Sequence, residues 1–193
     1  MKMNFLGINM VVLGLLVYIA LFIPTMGFTA PQVGDKFGSW TFSCKALGPS
    51  NTKCGLTQSI VSRSSRKLIL RANLGFIGKK GELLLVLRTP LNLYLKAGVM
   101  VKVDSGPKRN MILHQCKKSG CVAMYNVSQS FRNELILGNK LLVKFKLILK
   151  EGIVGIPVKI NLNGVQKGIN ELEKSQAGKR YTIIQENDQL PIF

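Results

Sequence analysis

Apolar and polar positions alternate with a period of two along much of the chain. In KLLVKFKLILK at 140–150, Val143, Phe145, Leu147 and Leu149 fall on one side of an extended backbone, with Lys144, Lys146 and Ile148 on the other. Successive side chains of a strand point to opposite faces, so this run predicts a half-buried strand with a core on one side and a largely charged surface on the other. ELLLVLR at 82–88, VMVKVD at 99–104 and NMILHQC at 110–116 read as further strands. Turn-forming residues punctuate them at Gly78 to Gly81, Thr89-Pro90, Ser105-Gly106-Pro107, Ser119-Gly120, Glu151-Gly152 and Asn163-Gly164. Many short strands, frequent turns and little helix predict an all-β fold, an antiparallel β-sandwich.

Two short helices fit within that plan. Ser128 or Ser130 can cap a segment through Phe131, Leu135 and Leu137, with Gly138 as its stop. A second runs from Val165 through Ile169 and Leu172 after the Asn163-Gly164 turn. Residues 175–193 are polar with one small apolar cluster and read as a mobile tail.

The N-terminus departs from this alternation. Lys2 precedes an apolar run from Phe5 to Pro24, broken only by Asn9, and small and turn-forming residues follow. A positive end, an apolar stretch and a small-residue exit describe a secretory signal peptide, with cleavage favoured after Gly27 over Ala30, where Pro31 would adjoin the cut. The competing reading is a retained anchor, since a membrane span needs roughly 20 residues. The expected organisation is a signal peptide at 1–27, a linker at 28–36, one domain at 37–174 and the tail. Location follows: exported to the periplasm, the outer surface or the medium.

Export bears on the four cysteines, Cys44, Cys54, Cys116 and Cys121. Outside the cytoplasm an even count reads as a disulfide framework, and no CxxC redox motif occurs. Zinc would need two closely spaced pairs, and the gap between Cys44 and Cys54 is wide for one, so no metal is expected. Of three possible pairings the local one, Cys44 with Cys54 and Cys116 with Cys121, is preferred, because Ser119-Gly120 is a turn that brings the second pair together. Each short loop would contribute about 2 to 3 kcal/mol in the chain-entropy model, and a crossed pairing could constrain more. The local pairing makes 116–121 a stapled hairpin with Lys117 and Lys118 at its tip.

Charge narrows the function. Lys and Arg number 27 against 9 acids, for a net +18, and of these only Lys2 lies in the first thirty residues. Local concentrations fall at Arg63, Arg66 and Lys67, at Lys79 and Lys80, at Lys108 and Arg109, and at Lys117 and Lys118. A solvated basic surface is the plain reading; the sharper one is attraction to an anionic partner outside the cytoplasm, an acidic glycan, a lipid headgroup or another host-cell component. Lysine outnumbers arginine, which suits diffuse attraction over bidentate recognition. Gly78-Lys79-Lys80-Gly81 matches a nucleic-acid-clamping GxxG loop, but that loop needs flanking helices and a strand pattern follows here, so no nucleic-acid partner is expected.

Nothing asks for catalysis. The sole histidine, His114, lies within a predicted strand, and Glu171 and Glu173 are two apart on a helix and face different ways. No phosphate loop or HExxH occurs. No cofactor, catalytic residue or small-molecule substrate is identified.

Several segments together resemble the invasion-associated locus B family. They are Phe37-Gly38 with Trp40, Thr41 and Cys44; Cys54; Thr89-Pro90-Leu91 with Gly98 and Val99; and Asp104. Cys116 with Gly120-Cys121 and Ala123, Gly138, and Pro157 leading to Leu162 and Gly164 complete the set. The resemblance covers residues 37–173, with Ser39, Asn92 and Asn161 standing where Asp, Gly and Ser are more usual. It implies a small β-rich periplasmic or surface protein of alpha-proteobacteria, from a family named for members linked to red-cell entry and without defined catalytic residues. The expectation is a non-enzymatic exported protein that aids host-cell association or invasion through a basic surface. The alternative is a periplasmic envelope-maintenance or stress protein without host contact; a hydrolase built on His114 is a weaker third.

Overall fold

The computed structural model describes residues 31–48, 51–77 and 81–177. The expected signal peptide, Lys79, Lys80 and most of the expected tail lie outside the described residues. Ten strands follow in chain order: β1 (Lys36–Phe37), β2 (Trp40–Gly48), β3 (Asn51–Val61), β4 (Leu68–Ile77), β5 (Glu82–Thr89), β6 (Val99–Val103), β7 (Arg109–Lys117), β8 (Gly120–Asn126), β9 (Lys140–Leu149) and β10 (Gly152–Asn161). The four predicted runs correspond to β5, β6, β7 and β9. Of the other six, β1 is too short to show a period, and β3, β4 and β10 carry Gly55, Asn73, Gly75, Gly155 or Pro157, residue types depleted from strands. Pro157 is accommodated because β10 is an edge strand, paired only with β9.

The hydrogen-bonded order is β1-β2-β3-β4-β5-β8-β7-β6-β9-β10, antiparallel throughout. Strand β7 joins two sheets: Arg109 to Met111 pair with β6, and Ile112 to Lys117 pair with β8. One core draws on alternate residues of both, including Phe42, Leu56, Leu74, Leu85 and Ala123 from the first sheet and Val101, Leu141, Val143 and Ile160 from the second. The Gln58 side chain ties β3 to β10 by donating to Asn161 O at 2.8 Å and accepting from Asn161 N at 3.0 Å. This is the antiparallel sandwich that the alternation predicts. Its core ends at Leu147; Leu149, expected on the same apolar face, projects beyond it.

Two helices close the core. Helix α1 (Gln129–Leu137) is capped by Ser128, whose hydroxyl accepts from Phe131 N, so Ser128 rather than Ser130 is the cap. Phe131 and Leu135 are buried while Leu137 stays exposed. Helix α2 (Val165–Ala177) buries Val165, Ile169 and Leu172, at i, i+4 and i+7, and runs to Ala177, into the segment expected as a tail. Both disulfides follow the local pairing, Cys44–Cys54 across β2 and β3 and Cys116–Cys121 across β7 and β8.

Candidate functional site

The segments that set this sequence apart meet one another as joints of the fold. Gly38, at φ 58°, lies against Asn163 and Gly164, and Gly164, at φ 82°, lies against Phe37 and Gly38. A Cβ on either would overlap the other turn's backbone, and Ser39 N donates to Asn163 O at 3.0 Å. Thr89 is buried opposite Cys121 and its hydroxyl donates to Cys121 O at 3.5 Å. Asp104 lies just past the end of β6, not within it; its carboxylate accepts from Asn139 N and Lys140 N at 2.9 and 3.0 Å and fixes the entry to β9. Each contact is between backbone groups or to them, and none gathers a nucleophile with a base.

The titratable groups are equally dispersed. His114 is the extra residue of a β-bulge in β7 and is exposed. Glu171 pairs with Lys174 and Glu173 with Arg132, so the two carboxylates serve different partners. All four cysteines are bonded, and no cluster of His, Cys, Asp or Glu suited to a metal occurs among the described residues.

The structure sorts the cations predicted from sequence. Arg63, Arg66 and Lys67 are exposed in the turn between β3 and β4, and Lys117, at the end of β7, and Lys118, in the turn to β8, are exposed at that hairpin's tip. The register places both turns at one end of the first sheet, about 14 Å apart at three strand spacings. Lys108 is exposed at the start of β7, at the opposite end of that strand. Arg109 is engaged: its guanidinium donates to both oxygens of Glu134 and to Pro107 O, and stacks over Phe131 at 4.3 Å. Arg109 is therefore a structural cation that locks α1 to β7. Lys79 and Lys80 lie outside the described residues.

A further cation field lies outside those clusters, and sequence proximity alone does not reveal it. On the outer face of the second sheet, Lys140, Lys144 and Lys146 alternate with core residues along β9. Leu142 between them is flanked by Lys102 of β6 and Lys159 of β10. Lys144 and Lys146 stand about 7 Å apart along the strand, and Lys102 and Lys159 about 10 Å apart across two strands. These spacings are close to the Debye length of about 8 Å at physiological salt, so the charges act together. The ion pairs of the described residues engage Arg109, Arg132 and Lys174, and none engages this face. Alternation in 140–150 is the signal for its β9 column; its flanks need strand order.

A smaller like-charge pair sits on the first sheet, where Arg71 of β4 is directly opposite Arg88 of β5. Burial, and then the Arg71 charge, hold Arg88 below the usual arginine range. Arg71 donates to Ser59 Oγ at 3.1 Å, and no acid faces the pair in the register, where Ser59 and Val122 flank it.

Comparison with known proteins bears on this fold. The family model described as "Invasion associated locus B (IalB) protein" matches residues 40–173. The crystal structure of invasion associated protein b from Bartonella henselae superposes with a TM-score of 0.64 at 16% sequence identity, covering 74% of this chain and 97% of that one. At that identity the likeness concerns the fold. No curated protein matches the chain.

Proposed function

Since this chain belongs to the invasion associated locus B family, we propose that it is an exported, non-enzymatic protein that aids host-cell association by binding an anionic surface. The observation that carries this reading is the lysine field of Lys102, Lys140, Lys144, Lys146 and Lys159, spread over three adjacent strands without ion-pair partners among the described residues. Such a field attracts polyanions by summed charge and lacks the forked geometry that reads a single phosphate. Arg63, Arg66, Lys67, Lys117 and Lys118 extend the basic surface to the end of the first sheet. Two disulfides support export, because such bonds persist in oxidising compartments.

The partner in this reading is an acidic glycan or lipid headgroup on a host cell. Protease shaving of intact bacteria, with a periplasmic marker as control, tests it. Removal of the protein by shaving is the expected result. A chain that is protected while the marker is also protected would overturn host contact and leave envelope maintenance as the function.

A further inference from the structure

The hairpin of β9 and β10 runs past the end of the core and carries apolar side chains that nothing among the described residues covers. Ile148 and Ile153, register partners on the outer face, are each 52% exposed, and Leu149 and Val154 are each 38% exposed. Residues Asn92 to Tyr94 lie along the other side of β9: Ile148 N donates to Asn92 O at 2.7 Å and Tyr94 N to Lys146 O at 2.8 Å. At the ends of this segment Leu91 and Leu95 are 55% and 57% exposed. Exposed apolar side chains thus cluster on the β9–β10 hairpin, and Leu91, in a turn, and Leu95, at the start of a 3-10 helix, add to them on the neighbouring segment. Scattered exposed apolar residues are ordinary on a protein surface, whereas a contiguous group is a mark of an interaction site.

The charges beside this tip identify what it meets. Lys146 and Lys144 lie one and two steps behind Ile148 on the same outer face, about 7 and 14 Å along the strand. Lys150 is in the turn itself and Lys96 follows Leu95; Glu151 is the one acid of the turn. A bilayer offers hydrocarbon beneath an interfacial layer about 5 to 7 Å thick on each side. With this outer face laid on the bilayer, Ile148 and Ile153 reach toward the hydrocarbon while Lys144, Lys146 and the Lys150 and Glu151 of the turn stay among the headgroups, where the long lysine stems let the ammonium groups reach phosphate. A glycan would use the lysines but has no hydrocarbon layer for the tip.

We infer that the β9–β10 hairpin is a membrane-touching element that seats Ile148 and Ile153 at the interface of an anionic bilayer, with Lys144 and Lys146 of the same face on its phosphates. This rests on the anionic-surface reading above and narrows its partner to lipid.

The test uses the disulfide-bonded protein as recovered from cells, with its N-terminus fixed by mass, and compares variants with wild type in that same form. Binding is measured to vesicles of phosphatidylcholine with and without phosphatidylglycerol, and in parallel to immobilised heparin. The double variant Ile148→Ser/Ile153→Ser is expected to lose at least tenfold in partitioning to anionic vesicles while keeping its heparin retention and thermal midpoint. Lys146→Gln is expected to weaken vesicle binding by about fivefold. Vesicle binding unchanged by the serine variant would overturn the inference. Retention on heparin with no vesicle binding would overturn it and leave the anionic reading standing; failure on both probes would overturn both. A wild-type dimer in solution that the serine variant converts to monomer, without vesicle binding, would assign the tip to a second copy of the chain instead.

Discussion

Gly38 and Gly164 pack backbone against backbone, each in a left-handed conformation: a Cβ on Gly38 would overlap the Asn163 carbonyl, and one on Gly164 the Phe37 carbonyl and Gly38 N. This contact joins the turn between β1 and β2 to the turn that opens α2. It therefore holds the first sheet to the element that closes the core. Alanine at either position combines a positive-φ cost of roughly 1 kcal/mol with a backbone clash, for a loss of about 2 to 4 kcal/mol in all. Gly98 and Gly152 also have positive φ but face open space, so alanine there costs only about 1 kcal/mol. Urea unfolding of the four variants separates the two contributions.

Glu134 is the sole acid paired with Arg109, and both are more buried than the Arg132–Glu173 pair. Glu134→Ala leaves a half-buried guanidinium over Phe131 without its carboxylate and is expected to cost about 2 to 3 kcal/mol. Glu173→Ala, at a more exposed pair, costs under about 1 kcal/mol. Equal effects of the two in thermal or urea denaturation would contradict the structural role given to Arg109.

Arg71 and Arg88 face each other with no acid opposite, and like charges in that position are destabilising. Arg71→Thr is therefore expected to raise stability, by up to about 1 kcal/mol. The gain should shrink at high salt as screening relieves the repulsion in the wild type. Denaturation at two ionic strengths checks both the sign and the trend.

The disulfides close loops of different length, ten residues apart for Cys44–Cys54 and five for Cys116–Cys121. Loop entropy then favours the first, at about 2.7 against about 2 kcal/mol. Paired serine replacements are expected to follow that order in urea unfolding. Intact mass should fall short of the reduced chain by four hydrogen atoms.

The parts of this fold that the sequence reveals are those with an uninterrupted period or a local signal. The β9 alternation, the Ser128 cap, the apolar face of α2 and the Ser119-Gly120 turn each speak within a dozen residues. Strands β3 and β4 are hidden because Gly55, Asn73 and Gly75 break the pattern, and β10 because Gly155 and Pro157 do. Gly138 reads as a helix stop, yet its φ is an ordinary −81°; a side chain is excluded there by Val103, a contact from another strand. The candidate site divides in the same way. Lys144 and Lys146 are visible as a charged face, but Lys102 and Lys159 join them only through the pairing of β6 and β10 with β9. Arg109 looks like a free surface cation until α1 brings Glu134 to it.

In the function proposed above, it is the arrangement of charge, and not its total, that directs this protein to anionic surfaces. The most direct test of this is salt-dependent retention on an anionic matrix of two variants with equal loss of charge. In one, Lys102, Lys144, Lys146 and Lys159 become Gln; in the other, the dispersed Lys36, Lys53, Lys108 and Lys167 do. The first is expected to elute at much lower salt than wild type while the second moves only slightly. Equal shifts would contradict this, because binding would then follow net charge alone.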